Sequence, residues 1–235
     1  MGFVRLAAMT VATFALAVPA IAVSAFDRGG PLSSSIVAAW ARCVLWLAGV
    51  RVDIEGRENV PLEGAQLFVS SHQSMLDIPA LFTLVPPRTR FVAKRELFRI
   101  PLFGWAIGLL GFVPLDRSDR RAAVRALERA STLARKQRPI LVFPEGTRSR
   151  DGSLLPFKRG AFELARELGL PVVPIACLGG ARCLPTGSVV VRPGRMLLRV
   201  GRVLPVPEGE TASRAELAEA ARVEIERLVA LGPVE

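Results

Sequence analysis

The chain of 235 residues is long enough for one globular core of ordinary size plus an appendage, and too short for two full domains. Hydrophobic residues make up 51% of it, yet 31 Lys and Arg against 21 Asp and Glu leave a formal charge of +10, an excess that calls for an anionic partner. There is no Tyr, there are only three Trp, and no basic run is interleaved with aromatics, which argues against nucleic acid and for anionic lipid or a phosphorylated substrate.

In chain order, the first feature is Leu6 to Phe26, 21 residues without a charge, bounded by Arg5 and by Asp27-Arg28. That length suffices for a helix to cross a bilayer core. A cleaved signal peptide is the rival reading, because Val23-Ser24-Ala25 has the spacing of a cleavage site and Pro19 interrupts the run. After the break at Gly29-Gly30-Pro31, Leu32 to Val50 carries Trp40, Trp46 and one charge, Arg42, and reads as an interfacial helix. The pair predicts a hairpin set into one leaflet rather than two complete spans. Arg28, Arg42 and Arg51 all follow the first segment, so the positive-inside tendency places the rest of the chain in the cytoplasm. The expected organisation is an anchor over 1–50 and an α/β domain over 51–235.

Beyond Arg51, short β-branched runs alternate with longer helical patterns, as in an α/β domain. Strands are predicted at Arg51–Glu55, Gln66–Ser70, Thr89–Ala93, Gly111–Leu115, Pro139–Phe143, Pro171–Cys177 and Met196–Val200. The run Leu97 to Leu115, broken by Pro101, Gly104, Gly108 and Gly111, is either a buried helix leading into a strand or more membrane-facing surface. A helix is predicted over Ser118–Arg138, capped by Ser118, with Val124, Leu127, Ser131 and Ala134 as its apolar stripe. Arg120, Arg121, Arg125, Arg129, Arg135 and Lys136 occupy its other faces, either as a solvated surface or as lipid contacts. A last helix runs from Ser213 to Leu231, where Gly232-Pro233 stops it.

His72 is the only histidine, so chemistry that needs an imidazole near neutral pH must use it. It follows a predicted strand and precedes Asp77 by five residues, a spacing that separates the two on a continuous helix by about 140°. A strand-to-helix junction can bring them together. Asp77 would then fix the tautomer of His72 and leave the other ring nitrogen to deprotonate a nucleophile. Ser71 and Ser74 lie close enough for a serine acyl-enzyme, but neither sits in a G-x-S-x-G elbow, and direct attack by an acceptor hydroxyl is simpler.

A second cluster, Phe143-Pro144-Glu145-Gly146-Thr147-Arg148-Ser149, follows another predicted strand. Its glycine turn can bring backbone amides to an anion, Arg148 adds a bidentate phosphate donor, and Lys158 and Arg159 follow nearby. In a third, Gly111 to Arg117, a buried run ends in Asp116-Arg117, where Arg117 is either a substrate clamp or the ion-pair partner of Asp116. Cys43, Cys177 and Cys183 form no C-x-x-C pair and have a single histidine to join them. They read as small core residues, and no metal or cofactor is expected.

These blocks, in this order and followed by Val172-Val173-Pro174-Ile175, resemble the four motifs of the glycerolipid acyltransferase family that includes the bacterial 1-acylglycerol-3-phosphate acyltransferases. His72 and Asp77 match its histidine, four residues, aspartate block, Phe112 to Arg117 its second motif and Phe143 to Ser149 its third. Lys94, with Glu96 and Leu97, resembles the Lys-x-Glu-Leu element between the first two. Pro114 departs from the pattern. The resemblance covers about residues 51 to 205. It implies a mixed sheet flanked by helices, of the glycerol-3-phosphate acyltransferase type, behind a helical pair in the cytosolic leaflet. It also implies His72 as the base, Asp77 as its orienting partner, and Lys94, Arg117, Glu145, Gly146, Thr147 and Arg148 around the acceptor's phosphate, a cation cluster that Lys158 extends. The implied partners are a lysophospholipid acceptor, an acyl-CoA or acyl carrier protein donor, and membrane lipid. Acylation of another lysolipid, such as lyso-ornithine lipid, and a non-catalytic basic membrane scaffold are the alternatives.

Overall fold

The computed structural model describes residues 1–27, 29–116, 119–206 and 213–232. Among the described residues the strands form one seven-stranded sheet in the order β1-β7-β6-β2-β5-β3-β4. The strands are β1 (Val50–Glu55), β2 (Leu67–Ser70), β3 (Arg90–Lys94), β4 (Val113–Leu115), β5 (Ile140–Val142), β6 (Val172–Leu178) and β7 (Gly194–Val200). Neighbours run parallel except for the antiparallel pair β6–β7.

All seven predicted strands are present, with shifted ends. β4 begins at Val113 rather than Gly111, because Gly111 takes a positive φ of 83° that belongs to a turn.

The central strands are buried on both faces, and their side chains alternate between two cores. Phe68, Leu141, Val173 and Ile175 face one core, shared with helices α1 (Gly2–Ser24), α2 (Pro31–Ala48) and α3 (Asp77–Phe82). Leu67, Val69, Ile140, Val142 and Val172 face the other, beneath α5 (Arg120–Arg135), α6 (Gly160–Leu168) and α8 (Arg214–Ala230).

Helices α1 and α2 pack on each other as a hairpin, pinned by the Trp40 Nε1 donor to Thr13 Oγ1 at 3.1 Å. Each is long and apolar enough to cross a membrane by length and composition. Phe3, Val4, Val11, Val18 and Trp46 turn outward, and Trp105 of α4 (Phe103–Leu109) is likewise exposed. Exposed large apolar side chains on helices of this length and composition point to membrane association. In the run Leu97 to Leu115, Gly104, Ala106 and Ile107 are buried in a helix that leads into β4, while Ile100 and Trp105 are exposed.

Helix α5 departs from expectation in two respects. Asp119 caps it, its carboxylate accepting the Arg121 amide at 2.8 Å, whereas Ser118 lies outside the described residues. Its buried stripe is Ala122, Ala126, Ala130 and Ala134, and Val124 is half exposed. Small residues at i, i+4 spacing let the helix lie close on the sheet, so closeness of packing rather than side-chain size chose the inner face. Helix α8 opens at Ser213 with a capping box to Glu216.

Candidate active site

In open α/β sheets, ligands gather beyond the carboxyl ends of parallel strands. The register supplies the first step of the site. β2 pairs with β5 so that Val69 faces Val142, and His72 and Glu145 each stand three residues further on. The loops they occupy meet at one edge of the sheet. There, Glu145 Oε1 accepts the His72 backbone amide at 2.8 Å, and the Ser149 amide donates to the His72 carbonyl at 2.8 Å.

His72 leaves β2 in a loop, and Asp77 begins α3, so the chain reverses between them. His72 Nδ1 lies 2.8 Å from Asp77 Oδ2, which also accepts the backbone amides of Gln73 at 2.7 Å and Ser74 at 2.8 Å. Three donors on one fully buried carboxylate oxygen hold the aspartate rigid. With Nδ1 engaged by Asp77, Nε2 is the ring nitrogen without a partner among the described residues. The Phe143 ring stacks on the imidazole at 3.9 Å and 15°. Asp77 Oδ1 is buried without a hydrogen bond and abuts Gly180, where a Cβ would come within 2.5 Å of it.

Glu145 is buried, and both its oxygens are occupied by backbone amides, His72 on one and Leu155 at 3.0 Å on the other. Burial pushes its carboxyl up to about 7, assisted by the charge of Asp77 and opposed by the amides of Leu155 and His72. Glu145 thus braces the loop that carries His72.

Gly146, at φ 76°, turns the chain directly afterwards, and a Cβ there would meet Lys158 Cε at 2.9 Å, so the lysine stem lies over the glycine. Arg148 is half-buried, and among the described residues its guanidinium has no hydrogen-bond or ion-pair partner; Thr147 beside it is exposed. Lys94 ends β3 at the same sheet edge, exposed and 3.4 Å from Glu96. Arg117 lies outside the described residues, and Asp116 pairs with Arg95 at 3.2 Å.

The sequence reading missed three contributors: the Phe143 ring on His72, the close approach of Gly180 to Asp77, and the loop 183–186 behind the dyad. In that loop the Leu184 carbonyl accepts Ser74 Oγ at 2.8 Å, and Thr186 Oγ1 donates to the Gln73 carbonyl at 3.2 Å. Phe143 was visible as an aromatic at a strand end before Pro144-Glu145-Gly146. The other contacts carry no local signal, since their partners lie about a hundred residues away.

At the carboxyl ends of the strands stand one His-Asp pair and, among the described residues, two cations without a partner, Arg148 and Lys158. The acyltransferase family profile matches residues 51–178, more than half of the chain, and the chain belongs to that family. It is 46% identical over 139 residues to a chloroplastic 1-acyl-sn-glycerol-3-phosphate acyltransferase of Brassica napus, covering 59% of this chain and 40% of the relative. Against the human 1-acyl-sn-glycerol-3-phosphate acyltransferase alpha it is 38% identical over 161 residues, covering 68% and 57%. The chain thus spans about half the length of the curated relatives it matches. The crystal structure of the 1-acyl-sn-glycerophosphate (LPA) acyltransferase PlsC of Thermotoga maritima superposes with a TM-score of 0.77 at 27% identity, covering 98% of each chain.

Proposed function

We propose that the chain is a membrane-attached 1-acylglycerol-3-phosphate O-acyltransferase. It moves a fatty acyl group from acyl-CoA or acyl carrier protein to the sn-2 hydroxyl of lysophosphatidic acid, giving phosphatidic acid for phospholipid synthesis. One observation carries this reading: His72 Nδ1 is engaged by buried Asp77, and among the described residues neither its Nε2 nor Arg148 of the adjoining loop has a partner. Support for the acceptor comes from the names of the relatives and of the Thermotoga structure.

In the proposed step, His72 Nε2 removes the acceptor's hydroxyl proton while the oxygen bonds to the thioester carbonyl carbon. The imidazolium that forms faces the Asp77 carboxylate. As the carbonyl re-forms, the carbon–sulfur bond breaks, and the departing thiolate takes the proton from Nε2. Arg148, Lys158, Lys94 and Arg117 would hold the phosphomonoester, with the Gly146-Thr147 turn approaching it and Glu145 acting behind the loop as a positioning residue. An apolar cavity lined by Thr13, Trp40, Ile78, Phe82, Phe91 and Ile107, between the hairpin and the sheet, suits an acyl chain.

Residues 1–50 serve as anchor and 51–235 as the catalytic unit, at the cytoplasmic membrane with the site facing the cytoplasm. The test is an assay of membranes carrying the protein, offered labelled acyl-CoA and a panel of lysolipids, with the product identified by mass. Phosphatidic acid is expected. Acylated ornithine lipid alone would replace the acceptor, and no acyl transfer to any lysolipid would overturn the reading.

A further inference from the structure

At the opposite end of the sheet from His72, the tip of the hairpin meets the segments that lead into β3 and β5. Between them lies an open cleft of about 740 Å³, within the range of ligand sites. Arg42 of α2, Arg88 ahead of β3, and Lys136 and Arg138 ahead of β5 line it, and among the described residues no acidic side chain does. Among the described residues Arg42 and Lys136 make no hydrogen bond or ion pair. Arg88 donates to the Leu62 carbonyl at 3.2 Å and Arg138 to the Gly29 carbonyl at 2.9 Å.

Charge is also concentrated beneath the cleft. Buried Arg90 donates to the same Gly29 carbonyl at 2.6 Å, so two guanidinium groups converge on one oxygen. Burial, and then the charge of Arg138, pulls Arg90 down to about 10, with Asp27 acting the other way. An anion in the cleft would relieve this crowding of like charge. The flanks distinguish what kind of anion. Phe26 and Leu32, on either side of the hairpin turn, are 96% and 64% exposed, and Leu62 within the lining is 80% exposed. A soluble phosphate gains nothing from three bare apolar side chains, whereas a phospholipid covers them with its tails.

We propose that this cleft is a second lipid site, separate from the His72 site, which takes the phosphate headgroup of an anionic membrane phospholipid at the tip of the hairpin. It would hold the end of the molecule remote from the chemistry against the bilayer, so that the whole length of the hairpin stays at the interface. The inference rests on membrane attachment and is independent of the acyl-transfer reading.

The test is flotation of the full chain with phosphatidylcholine vesicles, with and without phosphatidylglycerol, for the wild type and the triple variant Arg42→Gln/Arg88→Gln/Lys136→Gln. A surface cation adds roughly fivefold to binding of an anionic bilayer, so the triple variant should lose on the order of 100-fold in its preference for the anionic vesicles. Binding to neutral vesicles should hold. A matched variant, Arg121→Gln/Arg125→Gln/Arg129→Gln on the exposed face of α5, should lose far less. Should the triple variant fail to fold, Arg42→Gln alone, on an exposed helix surface, should still lose roughly fivefold.

Equal losses in the two triple variants would make the effect diffuse charge and overturn the site, as would an unchanged preference. Calorimetry with inorganic phosphate supplies the remaining arm. Phosphate binding that the cleft variant lacks, with vesicle preference intact, would assign the cleft to a soluble anion and overturn the lipid reading. Wild-type protein that floats with neither vesicle would overturn this site and the membrane anchor together, and leave the acyl-transfer chemistry to its own assay.

Discussion

Titrating the protein between about pH 5 and pH 8 should expose the cost of burying Glu145. Its carboxyl sits at about 7 in the fold against an ordinary 4.5, so the folded state binds the proton more tightly than the unfolded state. The contribution to stability is fully present below pH 4.5, declines as pH rises, and is lost above about 7. The interval corresponds to about 3 kcal/mol at about 1.36 kcal/mol per pH unit. Glu145→Gln removes the ionisation while keeping the shape. Like the protonated acid, it sets one donor against one of the two backbone amides, so the variant should behave as wild type does at low pH. Unfolding in detergent micelles, followed by Trp fluorescence at matched detergent, is the assay. The two proteins should differ by less than about 1 kcal/mol at pH 5 and by about 3 kcal/mol at pH 8, with the variant the more stable, the latter roughly 6–12 °C in Tm for a chain of this size. Parallel curves across that range would refute the reasoning, and would mean that the amides of His72 and Leu155 offset the burial in full.

Further outcomes follow from the same geometry. His72→Ala should fold, stay at the membrane and lose on the order of 10²–10⁴ in turnover, and Asp77→Asn should fall in the same direction; normal turnover in either would make the dyad structural. Arg148→Ala should raise KM for lysophosphatidate well beyond KM for the acyl donor, if the guanidinium, which has no partner among the described residues, holds the acceptor's phosphate as proposed, and equal rises would remove it from the phosphate site. In Gly180→Ala the added Cβ meets Asp77 Oδ1 at 2.5 Å, so kcat should drop by roughly 10²-fold as the dyad is displaced, with the far-UV spectrum unchanged; unaltered kcat would show that the contact is not felt at His72.

Much of the fold can be read locally. The seven strands stand where β-branched runs stand, and the capping box at Ser213 marks the start of α8 as the residue pattern requires. Helix α5 shows where such reading stops. A stripe containing Val124 looks more apolar than one of alanines, but the alanines lie inward because only they allow close approach to the sheet. Of the candidate site residues, His72 and Asp77 were legible as a pair, though their spacing alone allowed contact or separation. Glu145 was legible as a member of a loop, and its attachment to His72 was not.

What the sequence determined by itself is the set of parts: an apolar N-terminal pair of helices, an α/β alternation, one imidazole, and a loop of glycine and cations. These follow from composition, periodicity and spacing, which are properties of neighbouring residues. The tertiary structure alone decided the strand order, the meeting of the β2 and β5 loops that seats Glu145 under His72, and the approach of Gly180 to Asp77. It also decided the gathering of Arg42, Arg88, Lys136 and Arg138 into one cleft. Each of these joins segments dozens of residues apart, and their contact depends on how the whole sheet is ordered and covered, which no local preference encodes.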